Sequence, residues 1–233
     1  CNGSNADMDD CGVCNGGNAD MDDCGVCNGD GSSCLASLSL GAFDSSGSLE
    51  VLYDFGGPVA GFQFDITGLT ITGASDGAAS DAGMTVSAGG ATVLGFSFDN
   101  SEISAGSGVL TVLSFSDVTA DATELSLGNF GAVTDAAGNV YTTTTSGSID
   151  HPSDCADVYY GDSWESDCGC VDADNAGDDC DDCAGTPNGD AAVDNCDVCD
   201  SDASNDCTQD CNEEWGGDAA VDNCDVCDSD ASN

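Results

Sequence analysis

The stretch VAGFQFDITGLTIT, residues 59–72, decides the fold class of this chain. Within it the apolar residues Phe62, Phe64 and Ile66 alternate with polar ones. Alternation with a period of two is the pattern of a β-strand that has one buried and one solvated face, as in many antiparallel sheets. The stretch therefore predicts an antiparallel sheet with one face in the core.

Similar short runs recur at regular intervals from residue 35 to residue 150 and are separated by Gly, Asp and Ser. The nine predicted strands are LASLSL (35–40), LEVLYDF (49–55), GFQFDI (61–66), LTIT (69–72), MTVSA (84–88), TVLGFSF (92–98), VLTVLSF (109–115), ELSLGNF (124–130) and NVYTTTT (139–145). This density of strands indicates a β-sandwich. DGAASDAG (76–83) has room for one helical turn, and VLTVLSF would permit strand addition between subunits if it lay at a sheet edge.

Four segments of this zone carry a resemblance to a known family. They are LEVLYDF, VAGFQFDITGLTITGAS (59–75), TVLGFSFDNSEISAGSGVLTVLSF (92–115) and AVTDAAGNVYTTTTSGSI (132–149). In pattern and order they resemble the cohesin-type β-sandwich, of jelly-roll type, of bacterial surface and scaffolding proteins. The resemblance implies a binding or structural module. It carries over no partner-binding residues, because cohesins have no fixed motif for them.

Cysteine-rich repeats flank this zone on both sides. CNGSNADMDDCGV (1–13) recurs with one change at 14–26, and GDAAVDNCDVCDSDASN (189–205) recurs unchanged at 217–233. Fixed-period repeats indicate stacked units, and apolar residues are too sparse here for a core, so cross-links and ions must supply the order. We therefore divide the chain into an arm at 1–34, a β-sandwich at 35–150 and a second arm at 151–233.

The charge of the chain limits its partners. It has 45 Asp and Glu residues and no Lys or Arg, which gives a formal net charge of −45. Nucleic acid and anionic membranes are recognised through Lys and Arg, so we expect neither nucleic-acid binding nor membrane insertion. Divalent cations are the expected counter-charges.

The 17 cysteines predict an oxidising location, either secreted or at the cell surface. Each CxxC could also be half of a zinc site or a redox pair, but the aspartate-rich context favours structural disulfides. If successive cysteines pair, the bonds are Cys1 with Cys11, Cys14 with Cys24, Cys27 with Cys34, Cys155 with Cys168, Cys170 with Cys180, Cys183 with Cys196, Cys199 with Cys207 and Cys211 with Cys224. Cys227 is then left over, because by the 28-residue repeat its partner would lie beyond Asn233.

Aspartates recur in register with these cysteines and predict calcium as the cofactor, since calcium takes six to eight oxygen ligands from a wrapped loop. The candidate ligands are Asp7, Asp9, Asp20, Asp22, Asp172, Asp174, Asp178, Asp190, Asp194, Asp200, Asp202, Asp206, Asp218, Asp222, Asp228 and Asp230. Solvated acidic loops without bound ions are the alternative. Asp172, Asp174 and Gly177 match the opening of an EF-hand loop, but Cys183 stands where the closing Glu belongs.

The arms resemble thrombospondin type 3 repeats, in which cysteine-paired, aspartate-rich loops wrap calcium ions. Their DxDxDG signature is kept only in part, as DADNAG at 172–177, where Ala176 replaces the third Asp. This departure implies weaker binding or fewer ions in each loop.

We expect no enzymatic activity. His151 is the single histidine, there is no Lys or Arg, and no pair of carboxylates stands out as a catalytic pair. We interpret His151 as a linker residue, and Trp164 and Trp215 as caps of small repeat units, with carbohydrate stacking as the alternative. Asn2 begins the glycosylation sequon Asn2-Gly3-Ser4.

Two functional hypotheses follow from these observations. In the first, the protein is an extracellular structural subunit of a calcium-stabilised, disulfide-stapled filament or surface fibre, and its main partner is a second copy of itself. In the second, it is an adhesin or scaffold module whose cohesin-like domain captures a surface protein or a glycan. Because the chain opens on Cys1, we expect a mature fragment or a segment of a longer protein.

Overall fold

The computed structural model describes residues 8–22 and 24–229. The chain divides into two units, one that reaches to Pro152 and one that begins at Ser153. Asp7, Asp230, Cys1 and Asn2, named above as candidate site residues, lie outside the described residues.

Residues 35–150 form two packed sheets of short strands. The strands are β1 (Leu35–Asp44), β2 (Ser48–Phe55), β3 (Gly61–Thr67), β4 (Leu69–Ser75), β5 (Thr85–Gly89), β6 (Thr92–Phe96), β7 (Gly106–Val118), β8 (Ala122–Ser126), β9 (Ala132–Thr134), β10 (Thr142–Ser146) and β11 (Ser148–Asp150), with one short helix, α1 (Gly77–Asp81). The predicted sandwich is confirmed, and the helical turn lies where the sequence placed it.

The strand order gives the sandwich a jelly-roll-like path. One sheet has the order β10-β1-β2-β7-β4, and the other has the order β11-β8-β3-β6-β5 with β9 added beside β3. All neighbours are antiparallel except β1 and β10, which pair in parallel. Gly147, at φ +111°, separates β10 from β11, so it stands where the chain crosses from one sheet to the other.

The core lies between the sheets and comes from the alternation seen in the sequence. Phe62, Phe64 and Ile66 are buried on β3, whereas Gln63 and Asp65 between them are partly exposed. The largest fully buried side chains are Phe55, Phe64, Leu38, Leu49, Ile66, Leu110, Leu113, Val51, Val59, Val93, Val133 and Thr111. Burial of these side chains supplies the main stabilising term of the sandwich, about 1.5–3 kcal/mol for each large aliphatic or aromatic side chain.

The structure differs from the sequence-based description of the strands in several details. β9 and β11 were not predicted, because three-residue strands are too short to show a period. The GNF segment of the predicted run 124–130 follows β8 as a loop. The VLTVLSF run lies in β7, between β2 and β4, and so it is not a sheet edge open to strand addition.

In the unit that begins at Ser153, the regular structure is limited to three small ribbons. They pair β12 (Trp164–Ser166) with β13 (Gly169–Val171), β14 (Ala192–Val193) with β15 (Cys199–Asp200), and β16 (Ala220–Val221) with β17 (Cys227–Asp228). Among residues 153–229 no side chain is fully buried. Turns and disulfides therefore hold this arm, and the disulfides are the cross-links that its composition predicted.

None of the helices among the described residues is long and apolar enough to span a membrane.

Candidate functional site

One turn, which we call the aspartate turn, recurs in both arms. It is built on Asp9, Asp22, Asp154, Asp182 and Asp210. In each, the aspartate N–H donates to the carbonyl of the fourth residue on, at 2.9–3.0 Å. The aspartate Oδ1 accepts the N–H of that same residue at 2.7–2.9 Å, and Oδ2 accepts the N–H of the ninth residue on at 2.9–3.2 Å. One side chain thus closes a ten-residue loop.

A glycine seven residues after the aspartate makes this closure sterically feasible. The five glycines are Gly16, Gly29, Gly161, Gly189 and Gly217. A Cβ atom at any of them would lie 2.0–2.2 Å from the Oδ2 of the capping aspartate, so a side chain there would displace the carboxylate. The spacing of Asp and Gly is therefore the sequence signal of the turn.

Main-chain hydrogen bonds lower the pKa of four of these carboxylates. The pKa values of Asp22, Asp154, Asp182 and Asp210 lie below the ordinary aspartate value, chiefly because the N–H of the fourth residue on bonds to the charged form. Asp9 and Asp22, predicted as calcium ligands, use both carboxylate oxygens to accept main-chain N–H groups. In this structure they organise their loops.

Sequence reasoning missed Asp154, Asp182 and Asp210 as functional residues. They follow one another at intervals of 28 residues, and each precedes a cysteine directly. The 28-residue repeat recognised at residues 189–233 therefore extends back to residue 154. This Asp-Cys spacing is the signal that would have found them.

A shorter form of the turn occurs at Asp194 and Asp222. The Oδ1 of each accepts the N–H groups of the second and fourth residues on, at 2.7–2.9 Å. The Oδ2 of Asp194, by contrast, is buried and accepts no hydrogen bond. A buried carboxylate oxygen without a donor is costly unless a cation or a water molecule satisfies it.

Asp194 lines a polar pocket together with three other predicted calcium ligands. The pocket has a volume of about 260 Å³, and Asp190, Asp200 and Asp206 complete its acidic lining. Asp200 also accepts hydrogen bonds from the N–H of Asp202 and from the side-chain amide of Asn205. The pocket is thus lined by carboxylate oxygens, the ligand type that calcium prefers, and one of them, Asp194 Oδ2, accepts no hydrogen bond from the protein.

The remaining predicted ligands are dispersed. Asp20, Asp172, Asp174, Asp178 and Asp218 lie exposed in loops, Asp202 bonds to the Ser204 N–H and hydroxyl, and Asp228 is partly buried in β17. Among the described residues one group of three potential metal ligands lies within 4.8 Å of one another: Cys168, Cys180 and Asp181. These two cysteines form a disulfide, so they supply no thiolate for zinc.

The disulfides follow a staggered pattern and not the predicted succession. The bonds are Cys11 with Cys27, Cys24 with Cys34, Cys155 with Cys170, Cys168 with Cys180, Cys183 with Cys199, Cys196 with Cys207 and Cys211 with Cys227. Cys14 is disulfide-bonded as well. A disulfide that spans 15 or 16 residues is followed by one that spans 10–12 residues, and the two loops overlap. The disulfide between Cys211 and Cys227 has no such shorter disulfide after it among the described residues. Each long link restricts the unfolded chain by about 3 kcal/mol in the chain-entropy account.

The predicted pairing was wrong because it followed the order of the cysteines along the chain. Pairing depends on which Cα atoms come within about 4.4–6.8 Å, and in the folded loops the cysteines that meet this distance are not consecutive ones. One consequence falls at the last repeat. Cys227 pairs with Cys211, and the free, exposed cysteine among the described residues is Cys224.

His151 is not a linker residue, contrary to our interpretation. It is buried at the end of the sandwich, where Nε2 lies 2.7 Å from the Thr123 hydroxyl and the imidazole packs against Phe43 at 4.9 Å. Burial lowers its pKa below the ordinary value, with Asp150 opposing the shift.

The sandwich carries exposed aromatic side chains. Phe98 and Phe130 are each 86% exposed, and Leu94, on the outer face of β6, is 40% exposed. Beside Phe98, Asp99 accepts hydrogen bonds from the hydroxyls of Ser101 and Ser97, which lower its pKa to about 2. Apolar side chains at this exposure are typical of contact surfaces when several lie together.

Comparison with solved structures finds matches to cohesin domains over about half of this chain. A non-cellulosomal cohesin from the archaeon Archaeoglobus fulgidus is 16% identical, with a TM-score of 0.36 over 48% of this chain and 86% of that one. The sixth cohesin of scaffoldin B from Acetivibrio cellulolyticus, solved with a dockerin, is 15% identical, with a TM-score of 0.39 over 49% and 97%. The cohesin of a type I cohesin–dockerin complex from Clostridium thermocellum is 16% identical, with a TM-score of 0.37 over 50% and 98%.

No protein-family model matches the chain, and neither does any curated protein sequence.

Proposed function

We propose that the protein is an extracellular structural protein without catalytic activity, a repeating subunit of a calcium-stabilised, disulfide-stapled filament or surface fibre. In this proposal the sandwich is a folded bead and the arms are stiff spacers of the thrombospondin type 3 kind.

The observation that carries the proposal is the regular recurrence of the aspartate turn with overlapping disulfides. Five turns share one hydrogen-bond pattern, and they order loops of the two arms, where apolar residues are too sparse for a core. Such an array holds its shape through local closure, so it can be lengthened by repetition without a growing hydrophobic core. Lengthening by repetition suits a spacer, whereas a catalytic domain does not require it.

The net negative charge of the chain supports the proposed role of calcium. The chain offers 45 carboxylates and no basic side chain to offset them, so close-packed loops repel one another unless cations intervene. The pocket of Asp190, Asp194, Asp200 and Asp206 supports one such site, because the buried Asp194 Oδ2 has no protein donor. The donor set fits calcium, which accepts many oxygen ligands in flexible geometry.

Electron microscopy and small-angle X-ray scattering of the full chain, with calcium and after EGTA, test the proposal. We expect ordered polymers with extended arms in calcium, and shortened or softened arms in EGTA. If the protein is monomeric and its scattering is unchanged by EGTA, both the filament and the calcium role are wrong.

A matched pair of variants tests the pocket itself. Asp194→Asn keeps Oδ1 as the acceptor for the Cys196 and Val198 N–H groups but removes the charge, whereas Asp197→Asn removes an exposed charge in the same loop. In a calcium titration we expect Asp194→Asn to bind about one ion fewer per chain, and Asp197→Asn to bind as the wild type does. Equal stoichiometry in all three proteins would contradict a site at this pocket.

A second candidate function is capture of a surface protein or a glycan by the sandwich, as in an adhesin or scaffold module. The exposure of Phe98 and Phe130 favours it, since aromatic side chains dominate binding hot spots. We expect Phe98→Ala with Phe130→Ala to lower adhesion to a glycan or protein array at least tenfold. Val140→Ala, which removes an apolar side chain that is 66% exposed elsewhere, is the control. Equal adhesion by all three proteins argues against this function.

A further inference from the structure

Carboxylates are spread along nearly the whole chain, and the longest run without one is residues 82–98, AGMTVSAGGATVLGFSF. This run contains β5, the hairpin turn, β6 and the exposed Phe98. Two copies of a chain of charge −45 repel each other wherever their carboxylates meet, and neither copy has a Lys or Arg to offset this. A contact between copies is therefore least opposed on the surface that this run forms.

β5 lies at the end of its sheet and pairs with β6 alone. Its register with β6 is continuous, without a bulge, and its five residues, TVSAG, include no charge and no proline. It lies near β4 of the other sheet, but the two share no strand pairing. Half of the main-chain groups of such a strand point away from its neighbour, and natural edges are usually blocked by the very features that β5 lacks.

The other sheet ends are less suited to pairing. β4 has two register shifts against β7 and contains Gly73. β11 has only three residues and carries Asp150. β10 is also uncharged, but it lies in a shorter carboxylate-free run, residues 136–149, and β11 with its Asp150 follows it after one residue. The side chain of Ser87 at the middle of β5 is exposed, and a Cβ built at Gly89 or Gly90 would meet nothing within 4 Å. The β5 edge is therefore accessible at Ser87, Gly89 and Gly90, and its own five residues carry no charge.

We propose that β5 of one copy pairs antiparallel with β5 of a second copy, about a two-fold axis at Ser87. This register places Val86 of one copy opposite Ala88 of the other, on the half-buried face, and sets the two Ser87 side chains against each other on the outer face. Leu94, which lies beside Ser87 in the sheet, then flanks the joint on both sides. The two six-stranded sheets become one continuous sheet, and the contact is self-complementary, as a two-fold dimer requires.

This inference deepens the proposed function by naming the contact through which copies meet, and it rests on that function only for the expectation of self-association. Because no metal ligand takes part, pairing through β5 persists in EGTA. Salt strengthens it, because salt screens the repulsion between two acidic copies. Association through bridging calcium ions would be lost in EGTA, so the two proposals fail separately.

Sedimentation velocity of the full, oxidised chain tests the contact. Cys224→Ser is used as the background, because an inter-chain disulfide at the free thiol would otherwise imitate a dimer. Ser87→Asp sets two carboxylates against each other at the proposed axis, and Thr144→Asp adds the same charge at an exposed position of β10. We expect a dimer in the background protein, about fivefold or more weaker association in Ser87→Asp, and no change in Thr144→Asp.

The outcomes separate the alternatives. A monomer at every concentration and salt level overturns the proposal. Equal weakening by both aspartates, or weakening by Thr144→Asp alone, places the contact elsewhere and overturns it too. Hydrogen exchange of the β5 amides gives an independent readout: their protection is expected to increase with protein concentration in the background protein and not in Ser87→Asp.

Discussion

The sandwich core predicts the effect of one added methyl group. Gly95 in β6 lies directly opposite Phe62 in β3, and the Phe62 ring covers the position where a side chain would stand. A Cβ at Gly95 would lie 2.1 Å from Cζ and 2.3 Å from Cε1 of that ring. Carbon atoms pack best at about 3.5–4.0 Å, so in Gly95→Ala the ring must move by about 1.5 Å. It has little room, because it is 2% exposed and packs 5.9 Å from the Phe64 ring.

The free energy of unfolding should fall accordingly. Overpacking of this kind costs about 1–3 kcal/mol, and the smaller entropy loss of Ala in a strand returns about 0.5–1 kcal/mol. We therefore expect Gly95→Ala to destabilise the sandwich by up to about 2.5 kcal/mol, and by about 1–3 kcal/mol relative to a glycine-to-alanine change without overpacking, with Tm lower by about 4–8 °C for each kcal/mol. Gly73→Ala is the matched control, because a Cβ in that strand would meet nothing within 4 Å. It should leave the sandwich unchanged or stabilise it slightly.

Urea unfolding of the oxidised chain, followed by far-UV circular dichroism, measures this difference. Both tryptophans, Trp164 and Trp215, lie outside the sandwich, so tryptophan fluorescence would report the arm instead. Phe62→Leu in the Gly95→Ala background should restore part of the loss, since the shorter side chain frees the space. Equal stability of Gly95→Ala and Gly73→Ala, or no relief by Phe62→Leu, would refute the reasoning.

Three further predictions follow. The buried His151 has a lowered pKa, so the folded state disfavours its charged form. The stability of the sandwich should therefore fall as pH decreases below about 6.5, and His151→Gln should abolish this dependence in melting curves. Capping carboxylates of the arms, such as that of Asp182, have pKa values below the ordinary 3.8 in the folded protein. Their stabilising effect is therefore complete above pH 3.8 and is lost as pH falls through the pKa of the folded state. Tryptophan fluorescence should change in that acid range and not at pH 5–7. Alkylation of the native protein should label Cys224, and mass-spectrometric mapping of the label on Cys227 instead would contradict the staggered pairing.

The strands of the sandwich could be predicted from the sequence wherever a run was long enough to show alternation. GFQFDI became β3 with the expected face buried, and the helical turn appeared at Gly77–Asp81. The three-residue strands β9 and β11 could not be predicted, because they are too short to show alternation. They are strands only because β9 pairs with β3 and β11 pairs with β8. The edge or interior position of VLTVLSF was likewise undecided, because strand order is a property of the whole sheet.

The candidate site divides in a similar way. The repeats and the acidic loops could be recognised in the sequence, because both recur at a fixed period. The main-chain contacts of each carboxylate were not, since Asp9 and Asp22 were predicted as calcium ligands and no local pattern showed that both also bind the main chain of their own loops. The role of Asp154 was missed altogether, because it is set by a hydrogen bond to Ser163, nine residues away.

By itself the sequence determined a two-layer β-fold, arms without a core, and a net charge that only cations or uncharged surfaces can accommodate. Alternation is a pattern between neighbouring residues, and apolar content and net charge are sums over the chain, so none of the three needs tertiary contacts to be recognised. Only the tertiary structure decided the disulfide partners, the burial of His151 and the open edge at β5. Each of these depends on which distant segments come within a few ångströms of one another, and spacing along a chain does not encode that distance.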